Sequence, residues 1–217
     1  MPSPFTRSQI ETLTRQADRP LIICDVDEVV VHFIAAFEDF LADHNLWLDF
    51  SGFALSGNVR QLGSNQEIPG AEVSELVHRF FAAKTRHQHA IPGSVEALNR
   101  LSDHAEIIML TNLPGDFRQD RIDNLLGHGL SHPVIVNSGP KGPAVKLLAD
   151  ACQHPVFFID DSPGFLTSVR EHQPQCHLIH FLQDQRLQEL AEPMPWLSLR
   201  SANWLEVEAH LLKLMGR

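Results

Sequence analysis

A chain of 217 residues is long enough for one sizeable core with an inserted lobe. Its formal charge of -10 argues against a general affinity for nucleic-acid backbones or anionic membranes, while leaving room for a small anionic ligand held by a local cation. No low-complexity tract or repeat is evident, the opening residues lack an apolar stretch of signal-peptide length, and no later segment is apolar for long enough to span a bilayer. A soluble cytoplasmic protein, ordered beyond its first few residues, is expected.

The first strand signal is LIICDV at 21–26. It opens the stretch ICDVDEVVV (23–31), in which an apolar run is interrupted by Asp25, Asp27 and Glu28. Burying ionised carboxylates is costly unless they are paired or coordinate a metal, so either these acids hold a cation or they sit in a wet cleft at the end of the strand. Two residues apart on a strand, Asp25 and Asp27 would face the same side.

Between 32 and 89 the pattern changes. HFIAAFEDFLADHNLWL and AEVSELVHRFFAAK carry helical apolar spacing, and SGFALSGNVRQLGSNQEIPG between them reads as a long polar loop. A small helical lobe inserted after the first strand is expected. The remainder alternates: SVEALNRLSDH (helix), EIIMLT at 106–111 (strand), DFRQDRIDNLLGHG (helix), PVIVNS at 133–138 (strand), GPAVKLLADAC with Pro143 at its start (helix), PVFFID at 155–160 (strand) and CHLIHF at 176–181 (strand). This alternation indicates βαβ units and a parallel sheet. PMPW at 193–196 is a break, and NWLEVEAHLLKL predicts a terminal amphipathic helix anchored by Trp204, Leu205, Leu211 and Leu212.

The three cysteines form no CxxC pair, and Cys24 and Cys176 lie in apolar runs where they should pack as small hydrophobes. None of the thirteen histidines belongs to an HExxH pattern, and His87 and His89 read as solvated loop residues.

Ligands of open parallel sheets bind outside the carboxyl ends of the strands. Read in turn, those ends carry Asp25 and Asp27, then Thr111 and Asn112, then Lys141, then Asp160 and Asp161. CDVDEVV, MLTN, SGPKG and FFIDDSPG, in that order, resemble the four motifs of the haloacid dehalogenase-like (HAD) hydrolase superfamily, over roughly residues 20 to 182. The resemblance implies a three-layer Rossmann-like α/β core, residues 1–31 and 90–217, with a helical cap at 32–89. It further implies a magnesium-dependent phosphatase of a small phosphorylated metabolite, in which Asp25 is the nucleophile and Asp27 the general acid and base. Thr111 and Asn112 would hold phosphoryl oxygens, and Lys141 would offset charge. Mg2+ would be bound by Asp25, the Asp27 carbonyl and Asp160, with Asp161 orienting the lysine or a metal-bound water.

One position departs from the pattern. Glu28 stands where the family usually has glycine, and its carboxylate is expected to reach the metal's surroundings or the lysine. The alternative reading is a phospholigand-binding or regulatory module with weak turnover; a carbon dehalogenase is disfavoured because it needs no second acid at position 27. Selectivity is expected from the cap loop, with Arg60 pairing a second anionic group and Asn58 and Phe53 contacting a sugar or base.

Overall fold

The computed structural model describes residues 1–15 and 18–217. Its centre is a six-stranded parallel sheet in the order β5-β4-β1-β6-β7-β8, formed by β1 (Leu21–Cys24), β4 (Glu106–Thr111), β5 (Val134–Val136), β6 (Val156–Asp160), β7 (His177–Phe181) and β8 (Leu199–Ser201). All four residues of β1 are buried, because helices cover both faces of a parallel sheet and leave no polar side. Alternation along β1 divides them: Ile22 and Cys24 join one apolar cluster, Leu21 and Ile23 the other.

On the first face lie α4 (Ser94–Leu101), α5 (Arg118–Gly127) and α9 (Trp204–Leu214), through Leu98, Leu125 and Trp204. On the second lie α1 (Pro4–Glu11), α6 (Gly142–Ala149) and α7 (Pro163–His172), through Ile10, Val145 and Val169. These are the three layers expected from the alternating pattern. Since β4 and β6 flank β1 on opposite sides, strand order reverses at β1, where a cleft opens at the carboxyl ends.

Several elements were not legible. A helix begins at Pro4: Ser3 caps α1 by accepting the Thr6 amide at 3.1 Å. Helix α1 also closes one sheet edge, since the Gln9 carboxamide donates to the Val136 carbonyl at 2.9 Å and accepts its amide at 3.0 Å, as a neighbouring strand would. In the insertion, α2 (Ile34–Ala42) and α3 (Gly70–Lys84) appear as expected. The end of the first stretch read as helical is instead a strand, β2 (Leu46–Leu48), which pairs antiparallel with β3 (Val59–Gln61) from the polar stretch. Strands of three residues are too short to show alternation in sequence. A short helix, α8 (Gln185–Leu190), precedes β8.

The inserted lobe packs around phenylalanines, where the Phe80 ring meets Phe33, Phe37 and Phe40 edge-on at 5.1, 5.3 and 5.8 Å, and this apolar cluster continues into Leu113, Val136, Leu182 and Leu187. Its outgoing and returning segments run side by side: the His32 amide donates to the His89 carbonyl at 2.9 Å and the Ile91 amide to the Val30 carbonyl at 2.8 Å. Among the described residues no helix is long and apolar enough to cross a membrane.

The terminal helix corrects one anchor. Trp204 and Leu211 are buried, but Leu205 is 64% exposed, one position out of phase with the buried stripe. Trp204 also donates its indole N–H to the Val29 carbonyl at 2.9 Å, tying α9 to the turn that follows β1. Replacing Trp204 with Ala should destabilise the fold by about 3–5 kcal/mol in denaturant titration, whereas Leu205→Ala should stay within about 0.5 kcal/mol.

Candidate active site

Strand β1 ends at Cys24, earlier than the sequence suggests, and the acids lie on the turn beyond it. The Asp25 amide still donates to the Ile159 carbonyl at 2.9 Å. The chain then folds back so that the Val26 carbonyl accepts from the amides of Val29, Val30 and Val31 at 3.3, 2.8 and 3.0 Å. Asp25 and Asp27 therefore do not share a strand face, and their carboxylates take different partners.

That turn needs a left-handed residue, and Glu28 supplies it with φ of +61°. For a residue with a Cβ this conformation costs roughly 1–2 kcal/mol, which explains why glycine suits the position. The carboxylate offsets the strain by accepting the amides of Phe33 at 3.0 Å and Ile34 at 2.8 Å, so it caps α2. Glu28 thus holds the first cap helix and does not contact Lys141. Burial pushes its carboxyl up to about 7 despite these two amides.

Lys141, at the start of α6, is fully buried. Its Nζ donates to Asp25 Oδ1 at 2.7 Å and to Asp160 Oδ2 at 2.8 Å, and lies 4.8 Å from the centre of the Phe165 ring. Burial works against the ammonium, but Asp160 and Asp25 together hold Lys141 protonated above its usual range. Asp160, on the last residue of β6, also accepts the Ser162 amide at 2.8 Å. Lys141 pairs with Asp25 and Asp160 and not, as expected, with Asp161.

Carboxylate oxygens of Asp25, Asp160 and Asp161 lie within 4.8 Å of one another. Desolvation raises all three carboxyls, Asp25 to about 7, against the opposing pull of Lys141. Three converging acids against one ammonium leave an excess of negative charge in a buried place. The donors are all hard oxygens, so the set fits a cation such as Mg2+.

Asp27 lines the same cleft but takes its own partners. Its Oδ1 accepts Arg121 Nη2 at 2.5 Å and Gln88 Nε2 at 3.2 Å, and its Oδ2 accepts the Thr111 hydroxyl at 3.2 Å. Arg121 is fully buried; it also donates to Gln88 Oε1 at 2.8 Å and Asn124 Oδ1 at 3.2 Å, and its Nε has no partner. Sequence reasoning missed Arg121 and Gln88. The signal for the arginine was present: Arg121 and Asn124 share the buried face of α5 with Leu125, and polar groups there need a reason to be buried.

The remaining candidates divide. Asn112 lines the cleft, and its carboxamide donates to the Gly139 carbonyl at 2.9 Å, steadying the loop before Lys141. Phe53 lines the cleft as well. Arg60 does not: it sits on β3, with Nε 2.8 Å from Asp49 Oδ2, and its charge is already paired. Asn58 is buried and shapes the loop, accepting from Ser51 Oγ at 2.6 Å and donating to the Ala54 carbonyl at 2.6 Å. Cys24 and Cys176 are buried, and desolvation lifts the Cys24 thiol well above its ordinary value, so it is no nucleophile. His87 and His89 are exposed.

Glu28 gives a test with a definite sign. Its carboxyl titrates near 4.5 when free and about 7 in the metal-free fold, so the folded state holds an extra proton between those values. Its contribution to stability is complete below about 4.5 and lost as pH rises through about 7. The metal-free protein should therefore lose more Tm between pH 5 and 8 than Glu28→Gln does, by the equivalent of about 3 kcal/mol at most. Equal slopes would show that the α2 amides keep Glu28 ionised throughout.

No family model matches the sequence, and no curated protein matches it. Solved structures do. A haloacid dehalogenase-like hydrolase from Streptococcus pneumoniae superposes with a TM-score of 0.62 at 16% identity, over 89% of this chain and 98% of that one. A HAD-hydrolase from Bacillus subtilis bound to magnesium gives 0.61 at 13% identity, over 92% and 100%. A HAD family hydrolase from Deinococcus radiodurans with bound phosphate and sodium gives 0.59 at 17% identity, over 92% and 97%. L-2-haloacid dehalogenases are also among the matches.

Proposed function

Because the chain has the fold of the haloacid dehalogenase-like hydrolases, we propose that it is a magnesium-dependent phosphatase acting on a small phosphate monoester through an aspartyl-phosphate. The observation that carries this reading is the position of Lys141, held 2.7 Å from Asp25 and 2.8 Å from Asp160, with Asp161 completing an oxygen-only cluster. A carboxylate nucleophile, an adjacent fixed cation and a hard-metal donor set suit phosphoryl transfer, which asks mainly for positioning and charge stabilisation.

An Asp25 oxygen attacks phosphorus, and the bond from phosphorus to the ester oxygen breaks. Asp27 gives its proton to the departing oxygen, then takes one from the water that attacks the aspartyl-phosphate; phosphate leaves and Asp25 is restored. Lys141 favours the ionised form of Asp25 against the burial that raises it, and offsets charge on the transferring group. The Asn112 amide holds a phosphoryl oxygen, while the Thr111 hydroxyl, which donates to Asp27, joins Arg121 and Gln88 in fixing the direction in which Asp27 presents its carboxyl group. Asp25, Asp160, Asp161 and the Asp27 carbonyl would hold the magnesium ion, which supplies positive charge opposite the phosphoryl oxygens when bound.

Dehalogenation uses the same nucleophile, and dehalogenases share the fold. The acid at position 27, anchored by Arg121, Gln88 and Thr111, favours phosphate esters, whose leaving oxygen must be protonated. Phosphate release from para-nitrophenyl phosphate should require magnesium, cease with chelator, and fall by about 10⁴-fold or more in Asp25→Asn with the fold intact by circular dichroism. Halide release from 2-haloacids with no phosphate release would reverse the assignment. Magnesium binding with neither activity would point to the phospholigand-binding module.

A further inference from the structure

The cleft above Asp25 has a volume of about 320 Å³, and its two ends differ in chemistry. The floor is acidic. The roof, formed by the inserted lobe, is mostly apolar: Phe33, Phe50, Phe53, Leu55, Val77 and Phe81 line it, and its charged group, Asp49, is paired with Arg60. Each of these except Phe81 is only partly buried, so part of its surface faces the cleft. Among the described residues lining the cleft there is no lysine, arginine or histidine.

The arginines that touch this lining are already committed. Arg60 is paired with Asp49 at 2.8 Å. Arg186 stacks its guanidinium 3.7 Å from the centre of the Phe50 ring and is paired with Glu38 and Asp184, both at 2.7 Å. The roof is also built in advance: Asn58 bonds across the loop to Ser51 and Ala54, and the Asp49 amide donates to the Asn58 carbonyl at 2.7 Å. A second phosphate, a carboxylate or a polyhydroxylated sugar would lose water on entering and find no cation or donor array in return. A neutral apolar group would gain what every buried hydrocarbon gains.

We infer that the substrate is a phosphate monoester whose alcohol part is neutral and apolar, a single aromatic ring or a short alkyl chain seated against the phenylalanines of the roof. This rests on the phosphatase reading for the identity of the anionic end, and on the cleft alone for the rest.

The test is a series of n-alkyl phosphates, ethyl to octyl, beside phenyl phosphate, glucose 6-phosphate, phosphoglycolate and a nucleoside monophosphate. Calorimetric binding of the matching alkyl phosphonates in the presence of magnesium runs in parallel. Across the alkyl series kcat/KM should climb by about fourfold per methylene until the cleft is full, and phosphonate affinity should climb with it. Phe53→Ser should flatten both trends. Leu55→Lys should shift preference toward phosphoglycolate. A flat alkyl series, or sugar phosphates and nucleotides turned over as well as hexyl phosphate, would overturn the inference. Phosphonate affinity that rises with chain length while no ester is hydrolysed would overturn the phosphatase reading and leave the inference about the ligand standing.

Discussion

Everything at the carboxyl edge of the sheet depends on keeping several negative charges close together without water. Parallel strands β1 and β6 are neighbours in the sheet, so the acids that follow them, Asp25 and Asp160, are brought together by backbone pairing whether or not their charges agree. Lys141 makes the arrangement tenable. Delivered from the start of α6, it sits between the two carboxylates and is itself buried only because both receive its protons. Removing one member of such a set strands the others in a low-dielectric setting, typically at a cost of about 3–5 kcal/mol. The three side chains are thus a structural keystone, and under the proposed function stability and reactivity draw on the same groups.

A second polar set, around Asp27, is kept apart from the first. Arg121, Gln88 and Thr111 turn its carboxylate away from Lys141, so two carboxyl groups two residues apart receive different electrostatic surroundings. Under the proposed function, such separation lets one acid attack and its neighbour exchange protons. The contrast continues upward, where the charged floor meets an aromatic roof. Polar chemistry is common to the fold's core, and the insertion supplies the chemical character of what may approach it.

The strands of the core were legible because a parallel sheet covered on both faces writes continuous apolar runs, such as LIIC and EIIML, into the chain. The polar ends of those runs marked the cleft for the same reason. The three-residue strands of the cap left no such signature, and α1 was hidden because its role, closing an edge through Gln9, is carried by one side chain. Arg60 misled because a loop arginine is indistinguishable in sequence from a ligand-binding one; only the fold shows Asp49 opposite it. Glu28 looked like an addition to the charged site, yet its carboxylate reaches forward to Phe33 and Ile34. Direction of reach is a property of the turn, with φ of +61°, and no pattern of residue types encodes it.

The paired segments that leave and re-enter the core have a mechanical meaning. Val30 to His32 and His89 to Ile91 form a hydrogen-bonded two-chain neck, so the inserted lobe hangs from a ribbon and not from two independent strings. A ribbon bends readily across its flat face but resists shear within its plane, because sliding would break the bonds between its chains. The lobe is braced beyond the neck as well, by Leu113, Val136, Leu182 and Leu187 in its apolar cluster and by the Glu38–Arg186 pair. Glu28 couples the turn beneath that neck to the first helix above it, so the turn carrying Asp25 and Asp27 is held in register with the start of α2.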